Sequence, residues 1–168
     1  MLVRMELLCQ WLIQKRMLLG PLNQYIISPK RKRGVGLARA QEYGMDFEKY
    51  KECLFENVIV IVKIEHVDAS NNLEEILSVE GVDASIIGPY DLSGLIGYPG
   101  EFNRKEVKEL LNQYIDVCKK LRKCPGLHSV PANIEQFNLR KDERYRFLGF
   151  SLDALFLSQC IENCFEEM

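Results

Sequence analysis

The sequence predicts an α/β fold built on a parallel sheet. Two segments stand out: a β-branched run at Val58–Ile64, suited to a strand buried on both faces, and a clearly amphipathic helix at 104–122. Short apolar runs alternate with amphipathic stretches along the rest of the chain, and repeated strand, helix, strand order is typical of parallel α/β proteins. In such folds ligands bind at the carboxyl ends of the strands, so functional residues are sought there.

The elements follow one another in a regular order after the first strand. Residues 71–77 have helical spacing, with an asparagine able to cap the helix, and residues 82–88 form a second strand that ends at Gly88 and Pro89. In the helix at 104–122, apolar residues recur at steps of three and four, and lysines and glutamates fill the other face.

The last third of the chain contains two more predicted strands. One lies at 126–130, closed by Pro131, and a short helix follows at 133–140. The segment 147–157 contains another strand, which we place around 154–157.

Composition excludes two classes of partner. The 168 residues carry a net charge of −2, which gives no basis for a nucleic-acid partner. No apolar run approaches the ~20 residues that a membrane helix needs, so we expect no membrane partner. The six cysteines form no CxxC pair, and the chain start has no signal-peptide pattern; we therefore expect free thiols and a cytoplasmic location.

Two carboxylates follow predicted strands. Glu65 comes directly after the run at 58–64, and Asp91 lies three residues beyond Gly88. In adjacent parallel strands both side chains would point toward the same opening at the carboxyl ends of the strands. Paired carboxylates suit a hard cation such as Mg²⁺ or Mn²⁺. The structural alternative is that Glu65 caps a turn with His66 and that Asp91 caps the next segment.

The turn after the second strand offers further binding groups. Gly88 lets the backbone approach a ligand closely, and the turn exposes the amides of Tyr90 and Asp91, which can hold a carboxylate beside a cation. Of the two histidines, His66 and His128, either could serve as a general base, or each is a packed or capping side chain.

Several short motifs occur in a characteristic order between residues 33 and 157. They are RGVGLARA at 33–40, IEH at 64–66, LEEI at 73–76, VEGVD at 79–83, IGPYDLS at 87–93, PG at 125–126 and DALFL at 153–157. In this combination the chain resembles the HpcH/HpaI aldolase family, the metal-dependent class II pyruvate aldolases related to the citrate lyase β chain.

The resemblance implies a partial (β/α)8 TIM barrel of the phosphoenolpyruvate/pyruvate superfamily that lacks the first β/α units. It implies a divalent cation, Mg²⁺ or Mn²⁺, on Glu65 and Asp91. A 2-oxo acid such as pyruvate would chelate that cation beside Gly88 and Pro89, with its carboxylate on the amides of Tyr90 and Asp91. The implied activity is cleavage of a 4-hydroxy-2-oxo acid to pyruvate and an aldehyde through a metal-stabilised enolate, in a homo-oligomer.

The chain departs from the family pattern at two candidate site residues. Lys63 stands where the family usually has glutamine; its ammonium could hold the substrate carboxylate or keto oxygen, but it would repel the cation at close range. Val3-Arg4-Met5 resembles the strand end that carries the family's active-site arginine, which makes Arg4 a candidate catalytic residue, with Glu6 in place of the usual proline.

Length qualifies these expectations. A complete barrel takes ~250 residues, whereas this chain has 168 and offers no counterpart of the family's upstream catalytic histidine. We expect one incomplete barrel domain over 1–168, with an irregular remnant at 1–32, a well-matched core at 33–157 and a short C-terminal helix at 158–168. The alternative function is therefore an inactive homologue that at most binds metal, a 2-oxo acid or a partner subunit.

Overall fold

A computed structural model describes residues 4–8, 43–49 and 58–166 of the chain. Within these ranges, one parallel sheet contains five strands in the strictly sequential order β1-β2-β3-β4-β5. The strands are Arg4–Leu8, Val58–Ile64, Ala84–Ile87, Cys124–Ser129 and Phe147–Phe150. A doubly wound sheet reverses its strand order, whereas a barrel does not, so the fold is a partial (β/α)8 barrel.

Helices follow the strands from β2 onward. In chain order α1 to α6 they are Val67–Asn71, Leu73–Leu77, Pro89–Leu95, Lys105–Lys120, Ile134–Asp142 and Asp153–Glu166. The strand at 58–64 and the helices predicted at 104–122 and 133–140 are confirmed as β2, α4 and α5. The helix predicted at 71–77 begins at Leu73, and a separate short helix, α1, precedes it.

The strand predicted around 154–157 is wrong, because those residues lie in α6 and the strand is Phe147–Phe150. A four-residue apolar run fits a strand or a helix equally well by pattern alone. Here the Asp153 carboxylate accepts a hydrogen bond from the Ala154 amide at 2.8 Å, in the first turn of α6. The C-terminal helix therefore begins at Asp153, five residues earlier than predicted.

The strand end predicted at Val3-Arg4-Met5 is also corrected. Arg4 begins β1, which continues to Leu8 and pairs with Val58–Val62 of β2. A proline at position 6 would remove a backbone donor from this ladder, whereas Glu6 keeps it. The motif at 33–40 and most of the predicted remnant at 1–32 lie outside the described residues.

The two faces of the sheet have different surroundings. Val60, Val62 and Ile64 belong to the main core, together with apolar residues of α2 and α4, so this face of β2 is covered by helices. Ile61, Ala84 and Ile86 form a second, smaller cluster made only of strand residues, on the inner face. Because side chains alternate along a strand, Lys63 and Glu65 follow Ile61 on the inner face.

Among the described residues, the helices are all too short or too polar to cross a bilayer.

A buried tyrosine ties α4 to two strands. The hydroxyl of Tyr114 lies 2.8 Å from Ser85 Oγ and accepts from the Gly126 amide at 2.9 Å, and its single proton lies between the carbonyl oxygens of Ser85 and Gly126, at 3.0 and 3.2 Å. Burial raises the pKa of Tyr114 well above its usual value, which keeps the phenol protonated. This one group therefore satisfies buried polar atoms on both β3 and β4.

We expect Tyr114→Phe to lower the free energy of unfolding by about 1–3 kcal/mol, because it leaves buried partners of the hydroxyl unpaired. Urea denaturation measures the change. Tyr98→Phe is the matched control, since Tyr98 is partly exposed at the surface with its ring beneath Arg104. Equal, small effects of the two substitutions would contradict the role assigned to the Tyr114 hydroxyl.

Candidate functional site

Glu65 lies at the carboxyl end of β2, beside the end of β3. Ile64 pairs with Ile87, so the next residues along the two strands, Glu65 and Gly88, are neighbours. The Gly88 amide donates to the Ile64 carbonyl at 2.9 Å, which joins the start of α3 to the end of β2. The predicted meeting of these two strand ends is therefore present in the structure.

The carboxylate of Asp91, in the first turn of α3, also lies beside Gly88. A Cβ on Gly88 would lie 2.7 Å from Asp91 Oδ2 and 3.2 Å from Glu65 Cγ. Both acidic side chains thus approach one point on the inner face, and the missing side chain of Gly88 provides the space. We call Glu65, Asp91 and Gly88 the carboxylate site.

Neither structural alternative for the two carboxylates holds. His66, not Glu65, is the N-cap of α1, and its Nδ1 accepts a hydrogen bond from the Asp68 amide at 3.1 Å. Gly88 is the N-cap of α3, and Asp91 is the third residue of that helix. The two carboxylates therefore cap neither helix.

Lys63 contacts the carboxylate site directly. It lies two residues before Glu65 on the same face of β2, and its ammonium forms an ion pair with Glu65 Oε1. The Glu65 side chain is only 15% exposed, and that of Lys63 is 33% exposed, so solvent screens this pair less than a surface pair. A metal ion bound to Glu65 Oε1 would have to displace the ammonium from that oxygen.

The donor set fits a hard divalent cation with open coordination positions. Within the ranges 4–8, 43–49 and 58–166, no group of three or more His, Cys, Asp or Glu is placed to hold a metal ion. Two carboxylates beside the space at Gly88 match the way Mg²⁺ binds, through one or two carboxylates with several waters retained. They do not match a closed zinc site, which needs four protein ligands.

The residues between Gly88 and Asp91 present backbone donors. Pro89 is the first residue of α3 and is buried, whereas Tyr90 is 43% exposed and packs edge-on against Phe102 at 4.7 Å between ring centroids. Amides in the first turn of a helix have no partner within the helix, and Gly88 has no side chain to cap them. The amides of Tyr90 and Asp91 can thus bind an anionic group.

The structure does not bring Arg4 to the carboxylate site. Arg4 pairs with Val58, the first residue of β2, whereas Glu65 follows the last residue of that strand. Along β2, Glu65 is seven residues beyond the position of Arg4, which corresponds to roughly 20 Å of extended chain. The sequence pattern that resembled a strand end is in fact a strand start.

Two further polar residues lie at the edge that carries Glu65. Continuing the strand register from Ile64, Ile87, Leu127 and Leu148 by one residue gives a row across the inner face, which we call the inner row: Glu65, Gly88, His128 and Gly149. Ser151 follows β5 by one residue. The sequence analysis names His128 as a possible general base, but it could not place Ser151 at the site, because the last strand was predicted several residues too late.

Comparisons with known proteins agree on one family. The model of the HpcH/HpaI aldolase/citrate lyase family matches residues 2–156. A 2-keto-3-deoxy-L-rhamnonate aldolase of Escherichia coli is 32% identical over 137 residues, which is 80% of this chain and 50% of that protein. The chain thus spans about half the length of the curated relatives it matches.

Solved structures with a similar fold include two from this family. An HpcH/HpaI aldolase/citrate lyase family protein from Burkholderia cenocepacia has a TM-score of 0.81 at 22% identity. The matched region is 97% of this chain and 63% of that protein. An HpcH/HpaI aldolase from Desulfitobacterium hafniense has a TM-score of 0.80 at 21% identity, with 97% and 62% covered. At these identities the likeness supports the fold. From the family model and the 32% identical relative, the chain belongs to the HpcH/HpaI aldolase/citrate lyase family.

Proposed function

We propose that this chain supplies the site of a carbon–carbon lyase that cleaves a 4-hydroxy-2-oxo acid to pyruvate and an aldehyde. The observation that carries the proposal is the convergence of Glu65 and Asp91 on Gly88, where β2 and β3 end. Glu65 and Asp91 would hold Mg²⁺ or Mn²⁺. The similar Escherichia coli protein is a 2-keto-3-deoxy-L-rhamnonate aldolase, which supports the reaction class.

Each residue of the site has a distinct part in this reaction. The cation, when bound, stabilises the negative charge that develops on the 2-oxo oxygen. The amides of Tyr90 and Asp91 bind the substrate carboxylate, and Pro89 fixes the first turn of α3 that presents them. Gly88 leaves the space in which substrate and carboxylates meet.

Lys63 has two states in this proposal. Without the cation, its ammonium stays on Glu65 and offsets the repulsion between two neighbouring carboxylates. If a cation took its place on Glu65, the ammonium would be available to bind the carboxylate or keto oxygen of the substrate. The same side chain therefore lowers the affinity for metal and raises the affinity for an anionic substrate.

A second candidate function is an inactive homologue that binds metal or a 2-oxo acid without cleaving it. Two observations favour it: Lys63 already pairs with Glu65, and Arg4 lies at the amino-terminal ends of the strands, away from Glu65. Binding and cleavage are therefore measured separately. A homo-oligomer stays a prediction of the family resemblance.

Mn²⁺ and pyruvate together are expected to raise the Tm of the protein more than either alone, because both bind the folded state at one site. Cleavage of a 4-hydroxy-2-oxo acid, followed through the pyruvate released, reports turnover. Glu65→Ala should abolish both effects, whereas Glu75→Ala, an exposed position in α2, should change neither.

Binding without cleavage would favour the inactive homologue. Absence of any joint shift in folded protein, or full activity of Glu65→Ala, would contradict the metal assignment.

Gly88→Ala should weaken Mn²⁺ binding by about tenfold or more while leaving the Tm nearly unchanged. The new Cβ would collide with Asp91 Oδ2, which can rotate away but then no longer faces Glu65. Isothermal titration calorimetry measures the affinity. Gly94→Ala is the control in the same helix, since a Cβ there would meet only Pro99 Cβ at 4.0 Å. Equal Mn²⁺ affinities of the two variants would rule out the proposed geometry.

Lys63→Gln should strengthen Mn²⁺ binding about tenfold, because the cation no longer competes with an ammonium for Glu65. The same titration measures it, with Lys120→Gln as the control for loss of an exposed lysine that pairs with Glu74. Weaker Mn²⁺ binding by Lys63→Gln would show that the ammonium supports the metal site rather than opposing it.

A further inference from the structure

A cleft separates helices α4 and α5 in the outer layer of the fold. One face of α4 forms a wall of this cleft, where Lys108, Leu111 and Ile115 recur at helical spacing, and Leu139 lines it from α5. Helix α5 contributes no buried residue, and Leu139 is 53% exposed, so the two helices do not close on each other. The cleft has a volume of about 610 Å³, which is typical of small-molecule sites.

The hydroxyl of Tyr145 is an unpaired polar group at this cleft. Tyr145 lines the cleft, is only 2% exposed, and stacks on Tyr114 at 6.3 Å between ring centroids. Among the described residues its hydroxyl has no hydrogen-bond partner, and its oxygen keeps some exposure, unlike the sealed Oγ of Ser151. Burial raises the pKa of Tyr145, and the charges of Glu143 and Arg140 also act on it, so the hydroxyl lies near these two cleft residues. It is therefore free to donate to a ligand in the cleft.

The charged side chains around the cleft leave a surplus positive charge. Arg140 and Glu143 neutralise each other through an ion pair at 2.6 Å. Lys108 and Arg144 form no ion pair with a described residue, and Asp116 is the one other carboxylate among the described residues that line the cleft. Two cations against one carboxylate favour a ligand with a single negative charge, whereas a dianion would lie near Asp116 and Glu143 without full compensation.

The backbone at Arg144 is strained by a side chain that lines the cleft. Arg144 follows Glu143, the C-cap of α5, and its φ of 77° lies in the left-handed region. Glycine is the usual residue at this position of a helix end, because it has no Cβ to clash. Arginine there costs stability and sets a guanidinium, which suits carboxylates, at the cleft.

We propose that the cleft between α4 and α5 is a second small-molecule site, which binds an apolar carboxylate. The Tyr145 hydroxyl donates to the carboxylate, and Lys108 and Arg144 supply the compensating charge. The apolar body of the ligand lies against Leu111 and Leu139. The cleft shares no residue with the carboxylate site, so binding there does not depend on the metal.

Isothermal titration calorimetry with two probes of similar shape provides the test. The first probe, 4-biphenylacetate, carries one negative charge, and the second, 2-(4-biphenylyl)ethanol, is its neutral counterpart. At neutral pH and low salt, the acid should bind the unmodified protein about fivefold tighter than the alcohol, because only the acid interacts with the surplus positive charge.

Arg144→Gly and Lys108→Gln should each weaken binding of the acid about threefold, because each removes one exposed cation, and should change binding of the alcohol by less than about twofold. Arg144→Gly also relieves the positive φ, so it should fold at least as well as the unmodified protein. Lys105→Gln is the control, since it removes a lysine of α4 that is 84% exposed and does not line the cleft. It should leave both affinities unchanged.

Tyr145→Phe should weaken binding of the acid about fivefold, because the carboxylate loses the hydroxyl donor. The urea midpoint of unfolding should stay unchanged, since the hydroxyl has no protein partner among the described residues to lose. This combination differs from the loss of stability expected for Tyr114→Phe, whose hydroxyl is fully paired.

Three results would overturn the proposed site. One is the absence of acid binding at millimolar concentration, or equal affinities of folded protein for acid and alcohol. Another is a loss in Lys105→Gln as large as in Lys108→Gln and Arg144→Gly, which would show attraction by overall charge. The third is undiminished binding of the acid by Tyr145→Phe, which would place the probe elsewhere on the surface.

Discussion

The parallel pairing of β2 with β3 is the constraint on which the carboxylate site depends. The register of Ile64 with Ile87 sets Glu65 beside Gly88, and the Gly88 amide bonds back to the Ile64 carbonyl at 2.9 Å. A shift of this register by one residue would turn one of the two positions to the helix-covered face. The burial of Val60, Val62 and Ile64 on that face opposes such a shift, so the hydrophobic core and the site are specified by the same alternation.

The Lys63 ammonium balances the negative charge of Glu65 and Asp91 at the carboxyl ends of the strands. Two carboxylates beside Gly88 repel each other unless a cation lies near them, and in this structure the Lys63 ammonium is the nearby cation. The balance makes Lys63 both a stabilising partner and a competitor for metal.

Much of this arrangement was predictable from sequence. The β-branched run at Val58–Ile64 and the periodicity of α4 indicate their elements directly, and Glu65, Gly88 and Asp91 follow from the rule that ligands bind at strand ends. The last strand was misplaced because Ala154–Leu157 is as apolar as Phe147–Phe150, and only packing distinguishes them: Phe150 lies between Phe137 and Phe156. That error hid Ser151. The position of Arg4 depends on strand register, and the Lys63–Glu65 pair on side-chain contact, neither of which a pattern of residues encodes.

The central claim is that Glu65 and Asp91 together hold a divalent cation beside Gly88. An anomalous difference map from crystals grown with Mn²⁺ and pyruvate, recorded at the manganese edge, tests it most directly. We expect one strong peak between the two carboxylates, about 2.1 Å from an oxygen of each, as for a small divalent cation, with the Lys63 ammonium moved off Glu65. A map with Lys63 still paired to Glu65 and manganese absent from that position, or bound elsewhere, would contradict the claim.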